Sequence, residues 1–198
     1  PEFYYLSFFE TVGQLSIIEK PFHVEDDRQL FFEDITNLIR SFKNKLQIEG
    51  YLNEVEGKER VKRAVEITYA YIIQFILYKT LVDNDFDDFS KEFNESANKI
   101  YQNLKDKRYK DILGIIDNIS SKISKNVYRP FAKEQEFIKE KLLDLYHSIE
   151  NKLSDVSPWL DIFVFIKRYN FANVKNEIFG YIYENYLKEL YGEGKKGQ

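Results

Sequence analysis

The chain has 198 residues, 43% of them hydrophobic and 17% aromatic, which is enough to bury a core and excludes a disordered chain. The absence of cysteine excludes disulfides, thiolate zinc sites and cysteine nucleophiles, and the net charge of −4 excludes a polycation. Glycines (8) and prolines (4) are too sparse for the turns of many short strands. We therefore predict an all-α fold, an irregular multi-helix bundle of about seven or eight helices.

Apolar residues recur at three- and four-residue steps along most of the chain, and this spacing places them on one face of a helix. The helices predicted in this way span approximately Asp26–Ile48, Glu59–Val82, Asp88–Asp106, Tyr109–Ile123, Pro130–Leu153, Trp159–Arg168 and Val174–Leu190. Ser157 and Pro158 predict the start of the sixth helix, because serine caps helices and proline fits a first helical turn. Residues 1–20 fit either a helix or a strand left from an upstream segment.

The longest apolar stretch runs from Ala64 to Val82 and contains Glu66, Gln74 and Lys79. These polar side chains are costly in lipid, so the stretch predicts a buried helix of a soluble protein and no membrane span. The opening residues also lack the pattern of a signal peptide. Together with the absence of cysteine, this favours a cytoplasmic location.

Residues of the types that commonly bind metals or catalyse reactions are present, but the sequence does not combine them in the pattern of a known site. His23 and His147 are each isolated from a second metal ligand. The acidic run from Asp83 to Asp88 lacks the glycine and the terminal glutamate of a calcium loop, so it predicts a solvated turn between helices. Trp159 at a helix start is typical of a core anchor. We therefore expect no catalytic, cofactor-binding or metal-ligating residue in this chain.

One segment is strongly basic. Residues 99–133 contain nine lysines and arginines against three aspartates, a local balance of +6. The residues that are candidates for contact with DNA phosphates are Lys105, Lys107, Arg108, Lys110, Lys122, Lys125 and Arg129. We expect them to lie in two loops at the same end of a helical hairpin, where they would form a single patch. The alternative is a solvated face with no ligand.

The C-terminal 28 or so residues carry a pattern found in one enzyme family. Asn170-Phe171 is followed by a short spacer, by Glu177-Ile-Phe-Gly-Tyr-Ile-Tyr-Glu184 and, after more helical residues, by Lys196-Gly-Gln198. This order resembles the junction in N6-adenine DNA methyltransferases of restriction-modification systems, where a helical N-terminal region meets the catalytic domain. Gly180, Tyr183 and Glu184 match the family's Gly-x-Ile-Tyr-Glu signature. The resemblance implies that Gly180 allows close helix packing.

The resemblance implies a division of the chain and a role for it. Residues 1–190 would form a single helical domain, and 191–198 an exposed tail leading to a methyltransferase domain beyond the chain. Neither the glycine-rich turn that holds S-adenosylmethionine nor an Asn-Pro-Pro-Tyr loop occurs in the sequence. The cofactor and the catalysis would therefore belong to the parent protein, either a type I modification subunit or a type IIG fusion enzyme.

The expected function is scaffolding and clasping of DNA without catalysis. The implied partners are DNA through the parent enzyme, the methyltransferase domain in cis, and specificity or nuclease modules. A helical protein-interaction adaptor with no direct role at DNA is the alternative.

Overall fold

The computed structural model describes residues 21–48, 52, 56–126, 133, 136–137, 139–140 and 152–191. Within them the chain forms, in order, β1 (Phe22–His23), α1 (Arg28–Ile48), α2 (Gly57–Asp83), α3 (Phe89–Lys105), α4 (Tyr109–Asn126), α5 (Leu153–Arg168), β2 (Tyr169–Asn170) and α6 (Asn176–Tyr191). The all-α prediction is confirmed. Six helices are described, and the helix predicted from Pro130 to Leu153 lies almost wholly outside the described residues.

Helix α2 lies at the centre of the bundle. Fourteen of its residues are buried, on more than one face, because α1, α3, α4, α5 and α6 all contact it. By length and composition α2 could cross a membrane, but 72% of its most apolar window is buried inside the protein. This burial is compatible with the core helix of a soluble protein. The helix begins at Gly57, whose φ of +60° favours glycine.

Aromatic rings fill the space between α2 and its neighbours. Trp159 of α5 is fully buried and meets Phe42 of α1 edge to face, with ring centroids 4.9 Å apart. The Trp159 ring also lies 6.0 Å from that of Tyr71 in α2, so it joins three helices. The prediction that Trp159 anchors the core is confirmed. Edge-to-face pairs of this kind stabilise a core beyond the burial of their area.

Helix α5 begins earlier than its sequence signals predict. The helix starts at Leu153, so the predicted start at Ser157 and Pro158 is wrong. Pro158 lies in the second turn, where its missing N–H removes one backbone hydrogen bond. Val156 and Trp159 on either side are both fully buried. Their packing keeps the chain helical through a residue that on its own favours a helix start.

Two short strands, which the sequence did not predict, join distant parts of the chain. β1 and β2 pair in parallel, with Phe22 opposite Tyr169 and His23 opposite Asn170. The pair brings the segment before α1 against the segment after α5. Asn173, with a φ of 56°, then turns the chain into α6.

Helix α6 lies alongside α1 in the same direction and in a regular register. Glu177 pairs with Arg28, the ring of Tyr181 lies 4.9 Å from that of Phe32, and Asn185 Nδ2 donates to Thr36 Oγ1 at 2.8 Å. On the other side of α6, Tyr186 stacks on Tyr69 of α2 at 4.3 Å. Helix α6 therefore occupies the groove between α1 and α2.

Candidate nucleic-acid interface

The turn between α3 and α4, residues 105–110, is the basic turn of this molecule. The backbone N–H of Arg108 donates to the carbonyl of Asn103 at 2.8 Å, and the N–H of Lys107 donates to that of Leu104 at 3.2 Å. This pair of hydrogen bonds is a Schellman motif, the usual end of a helix. Lys107 has a φ of 58° and occupies the position that glycine commonly fills. The motif therefore fixes the backbone of the turn with lysine at its tip.

The cations at the tip of the basic turn face solvent. Lys105, Lys107 and Arg108 are exposed, and Lys110 in the first turn of α4 is half-buried. Across residues 105–111 these four cations stand against two aspartates, a balance of 4 − 2 = +2. A compact, exposed excess of positive charge is suited to contact with phosphates.

Lys122 lies apart from the basic turn. It is twelve residues beyond Lys110 along α4, a distance of about 18 Å along the helix axis. Its Nζ pairs with Glu92 Oε2 of α3 at 2.5 Å. The prediction that the two groups of cations lie at one end of a hairpin is wrong, because Lys122 lies towards the opposite end of α4 from the basic turn.

The positions of the two remaining phosphate candidates fall outside what the structure describes. Nothing is described of the side chain of Lys125, and Arg129 lies outside the described residues. The candidate interface therefore consists of Lys105, Lys107, Arg108 and Lys110.

The three residues of the junction signature lie on the outward face of α6. Among the described residues, no atom other than those of the neighbouring residues and nearby backbone of α6 lies within 4 Å of the place where a Cβ on Gly180 would stand, so the predicted close helix packing is not found there. Tyr183 is 51% exposed, and Glu184 is exposed. The packing of α6 relies instead on Ile178 and Ile182, which are buried. The signature residues are thus available for contact outside the described fold.

A buried polar cluster, which we call the junction network, fixes the end of α2 to β2. Lys79 Nζ donates to both carboxylate oxygens of Asp83, at 2.8 and 2.7 Å, and to the carbonyl of Tyr169 at 2.9 Å. Asp83 Oδ2 also accepts the backbone N–H of Phe171 at 2.8 Å. Burial lowers the pKa of Lys79, and the neighbouring Asp83 opposes that shift.

The junction network extends to α1 through a second carboxylate. Tyr169 donates its hydroxyl to Asp34, and Arg168 Nη1 lies 3.2 Å from the same carboxylate. Burial raises the pKa of Asp34, against the lowering effects of Tyr169 and Arg168. The sequence analysis missed this cluster. Its available signal was a charged residue, Lys79, four residues from Asp83 inside an otherwise apolar helix.

The histidine that the structure describes also has a structural role. His23 Nε2 lies 2.6 Å from the carbonyl of Ala172, and its Nδ1 accepts the backbone N–H of Glu25 at 3.1 Å. His147 lies outside the described residues. In the described part of the chain, no group of three or more histidine, aspartate or glutamate side chains is placed to hold a metal ion. No known protein family, curated protein or solved structure matches this chain.

Proposed function

We propose that this chain is a non-catalytic helical domain that scaffolds and clasps DNA for an N6-adenine DNA methyltransferase of a restriction-modification system. Its junction signature, which resembles that of the family, supports the parent enzyme, in which S-adenosylmethionine binds to the methyltransferase domain in cis. The parent works in the cytoplasm with specificity or nuclease modules. The observation that carries the role at DNA is the exposed basic turn.

The geometry of the basic turn supports phosphate contact without base reading. Its cations project from a turn whose backbone is fixed by hydrogen bonds, so little backbone entropy is lost on binding. The side chains belong to a short turn and one helix end, and α4 runs away from them into the fold. Cations of this kind position a protein on a duplex and carry no sequence information.

The salt dependence of binding tests this role directly. The chain is titrated with labelled duplex DNA over a series of salt concentrations, as wild type and as the double variant Lys105→Gln/Arg108→Gln. Each lost phosphate contact removes close to one released counterion, so the slope of log K against log salt should fall by about 1.8 units. Sequence preference should not change.

A charge-matched control separates phosphate contact from net charge. Lys91 and Lys175 are exposed and lie away from the basic turn, at the start of α3 and just before α6. Lys91→Gln/Lys175→Gln makes the same change in net charge and should leave the slope within error of wild type. An equal fall in slope for the two double variants would refute the role of the basic turn.

The exposed aromatic residues of α6 favour a second candidate, the protein-interaction adaptor. Tyr181 and Tyr183 are 45% and 51% exposed on the helix that carries the junction signature. Aromatic side chains of this kind are enriched at protein interfaces. An adaptor makes no phosphate contacts, so it predicts the same slope for wild type and for the Lys105 and Arg108 variant.

A further inference from the structure

An aromatic groove lies at the end of α3 opposite the basic turn. It has a volume of about 370 Å³ and is open to solvent. Its walls come from the turn after α2, the first residues of α3 and the far end of α4. The residues that line it are Phe86, Asp87, Asp88, Phe89, Glu92 and Lys122.

Two phenylalanines form the apolar wall of this groove. Phe86 is 52% exposed, and its ring stacks on that of Phe89 with centroids 6.0 Å apart and planes 21° apart. Phe89 in turn meets Tyr78 of α2 edge to face at 5.8 Å. The backbone N–H of Phe86 donates to the carbonyl of Leu81 at 3.0 Å. The exposed ring is therefore held in place by the core behind it and by its own turn.

The rim of the groove is acidic. Asp87, Asp88 and Glu92 stand against Lys122, a balance of 1 − 3 = −2. Glu92 already pairs with Lys122. Within the described residues, the side chains of Asp87 and Asp88 make no hydrogen bond or ion pair and are exposed. Two carboxylates thus remain open beside an exposed aromatic ring.

The arrangement of these carboxylates indicates which kind of cation the groove can bind: a metal ion, an ammonium group or a planar guanidinium. A metal ion needs several oxygen ligands at 2.0 to 2.6 Å, and the described carboxylates nowhere converge in that way. A guanidinium is planar, stacks on an aromatic face and offers several donors to separate carboxylates. An ammonium group lacks the planar face that Phe86 can stack on.

We infer that this groove binds an arginine side chain from a basic segment of a partner protein. The guanidinium stacks on Phe86 and pairs with Asp87 and Asp88, while Lys122 and Glu92 close the far side. This site is independent of the contact with DNA, because the groove and the basic turn lie at opposite ends of α3. The proposed binding of arginine by the groove and the proposed contact of the basic turn with DNA can therefore be tested separately.

A short labelled peptide, acetyl-Gly-Arg-Gly-Arg-Gly-amide, tests the charge of the site by fluorescence anisotropy. Asp87→Asn/Asp88→Asn removes both open carboxylates, and asparagine tolerates the φ of 47° at residue 87. Affinity should fall about fivefold, as expected for the loss of two exposed ion pairs. The same peptide with citrulline, which keeps the planar shape without the charge, should bind neither protein.

Matched controls show whether the effect belongs to the groove. Asp106→Asn/Asp111→Asn changes the net charge equally at the other end of α3 and should leave the affinity within twofold of wild type. Phe86→Ala should weaken binding about threefold through the lost cation–π contact. Tyr183→Ala, which removes an aromatic ring of nearly equal exposure from α6, should have no effect.

Three outcomes would overturn the inference. The first is an equal loss of affinity for the two pairs of asparagine variants, which indicates unspecific attraction to an acidic protein. The second is an equal response of Phe86→Ala and Tyr183→Ala. The third is displacement of the peptide by Ca²⁺ or Mg²⁺ beyond the effect of monovalent salt at equal ionic strength, which indicates a metal site.

Discussion

Within the described residues, ionisable side chains are buried in the junction network and in the middle of α5, and the junction network alone provides partners for them. In the junction network, Lys79 has a side-chain exposure of 3% and makes three hydrogen bonds, two of them to Asp83. In the middle of α5, Asp161 is fully buried, and neither of its oxygens has a hydrogen-bond partner in the described part of the chain. The same interior therefore contains a paired charge and an unpaired carboxyl.

This difference predicts how the stability of each region responds to mutation and to pH. A buried ion pair costs stability mainly when one partner is removed, because the other charge is then left without compensation. A lone buried carboxyl avoids that cost by remaining protonated, so the stability that it costs the fold depends on pH. The junction network should thus be sensitive to mutation. The site around Asp161 should be sensitive to pH.

The largest effect is expected from Asp83→Ala. This change leaves Lys79 buried without its counter-ion and leaves the backbone N–H of Phe171 without its acceptor. The free energy of unfolding should fall by about 3 kcal/mol, as for other broken buried pairs. Urea unfolding at pH 7 measures it. Asp88→Ala, at an exposed carboxylate nearby, is the control, and equal losses for the two variants would contradict the importance of the pair.

The second largest effect is expected at Asp161, where replacing the buried carboxyl should raise the free energy of unfolding. Burial raises the pKa of Asp161 well above its usual value, so the folded protein binds a proton that the unfolded chain releases. Stability is therefore fully present below the unfolded pKa, near 3.9, and is lost as pH rises towards the folded pKa, by about 1.4 kcal/mol for each pH unit.

Asp161→Asn removes this dependence on pH. The variant should differ little from wild type near pH 4 and be more stable at pH 7, and the gap should grow by about 1.4 kcal/mol for each pH unit until the folded pKa is reached. Thermal unfolding at a series of pH values gives the comparison. A constant difference between variant and wild type across the series would mean that the pKa of Asp161 is the same in the folded and the unfolded protein, which would contradict its raised pKa in the fold.

Sequence patterns predicted the helices because the relevant information is local. In α1 and α3 the apolar residues recur within one or two turns, so each helix identifies its own buried face. Apart from the pair of Lys79 and Asp83, the junction network depends on contacts between residues far apart in the sequence, which no local pattern contains. Lys79 and Tyr169 are 90 residues apart, Asp83 and Phe171 are 88 apart, and Asp34 and Tyr169 are 135 apart.

The candidate interface could also be predicted only in part, because it too depends on contacts between residues far apart in the sequence. The composition identified an excess of positive charge in residues 99–133. Which of those charges stay available depends on contacts between helices. Lys122 meets Glu92 only because α3 and α4 fold back on one another. Similarly, Phe86 is an ordinary turn residue in sequence, and its exposure beside open carboxylates becomes visible only in the folded chain.

The smallest effect is expected within the junction network, from Tyr169→Phe. The hydroxyl of Tyr169 donates to Asp34, and its loss leaves that carboxylate with Arg168 at 3.2 Å. Because one partner remains, the free energy of unfolding should fall by about 1 kcal/mol, well below the loss for Asp83→Ala. Tyr183→Phe, which removes an exposed hydroxyl on α6, should leave stability unchanged.

The dependence of this loss on pH completes the comparison. Burial already raises the pKa of Asp34, while the hydrogen bond from Tyr169 lowers it, so Tyr169→Phe should raise that pKa further. A folded pKa further above the unfolded one means that more stability is lost as pH rises. The difference between Tyr169→Phe and wild type should therefore be larger at pH 7 than at pH 4, measured by urea unfolding at both. A larger difference at pH 4 would show that Tyr169 stabilises the protonated form of Asp34, which would make this part of the network resemble the unpaired Asp161.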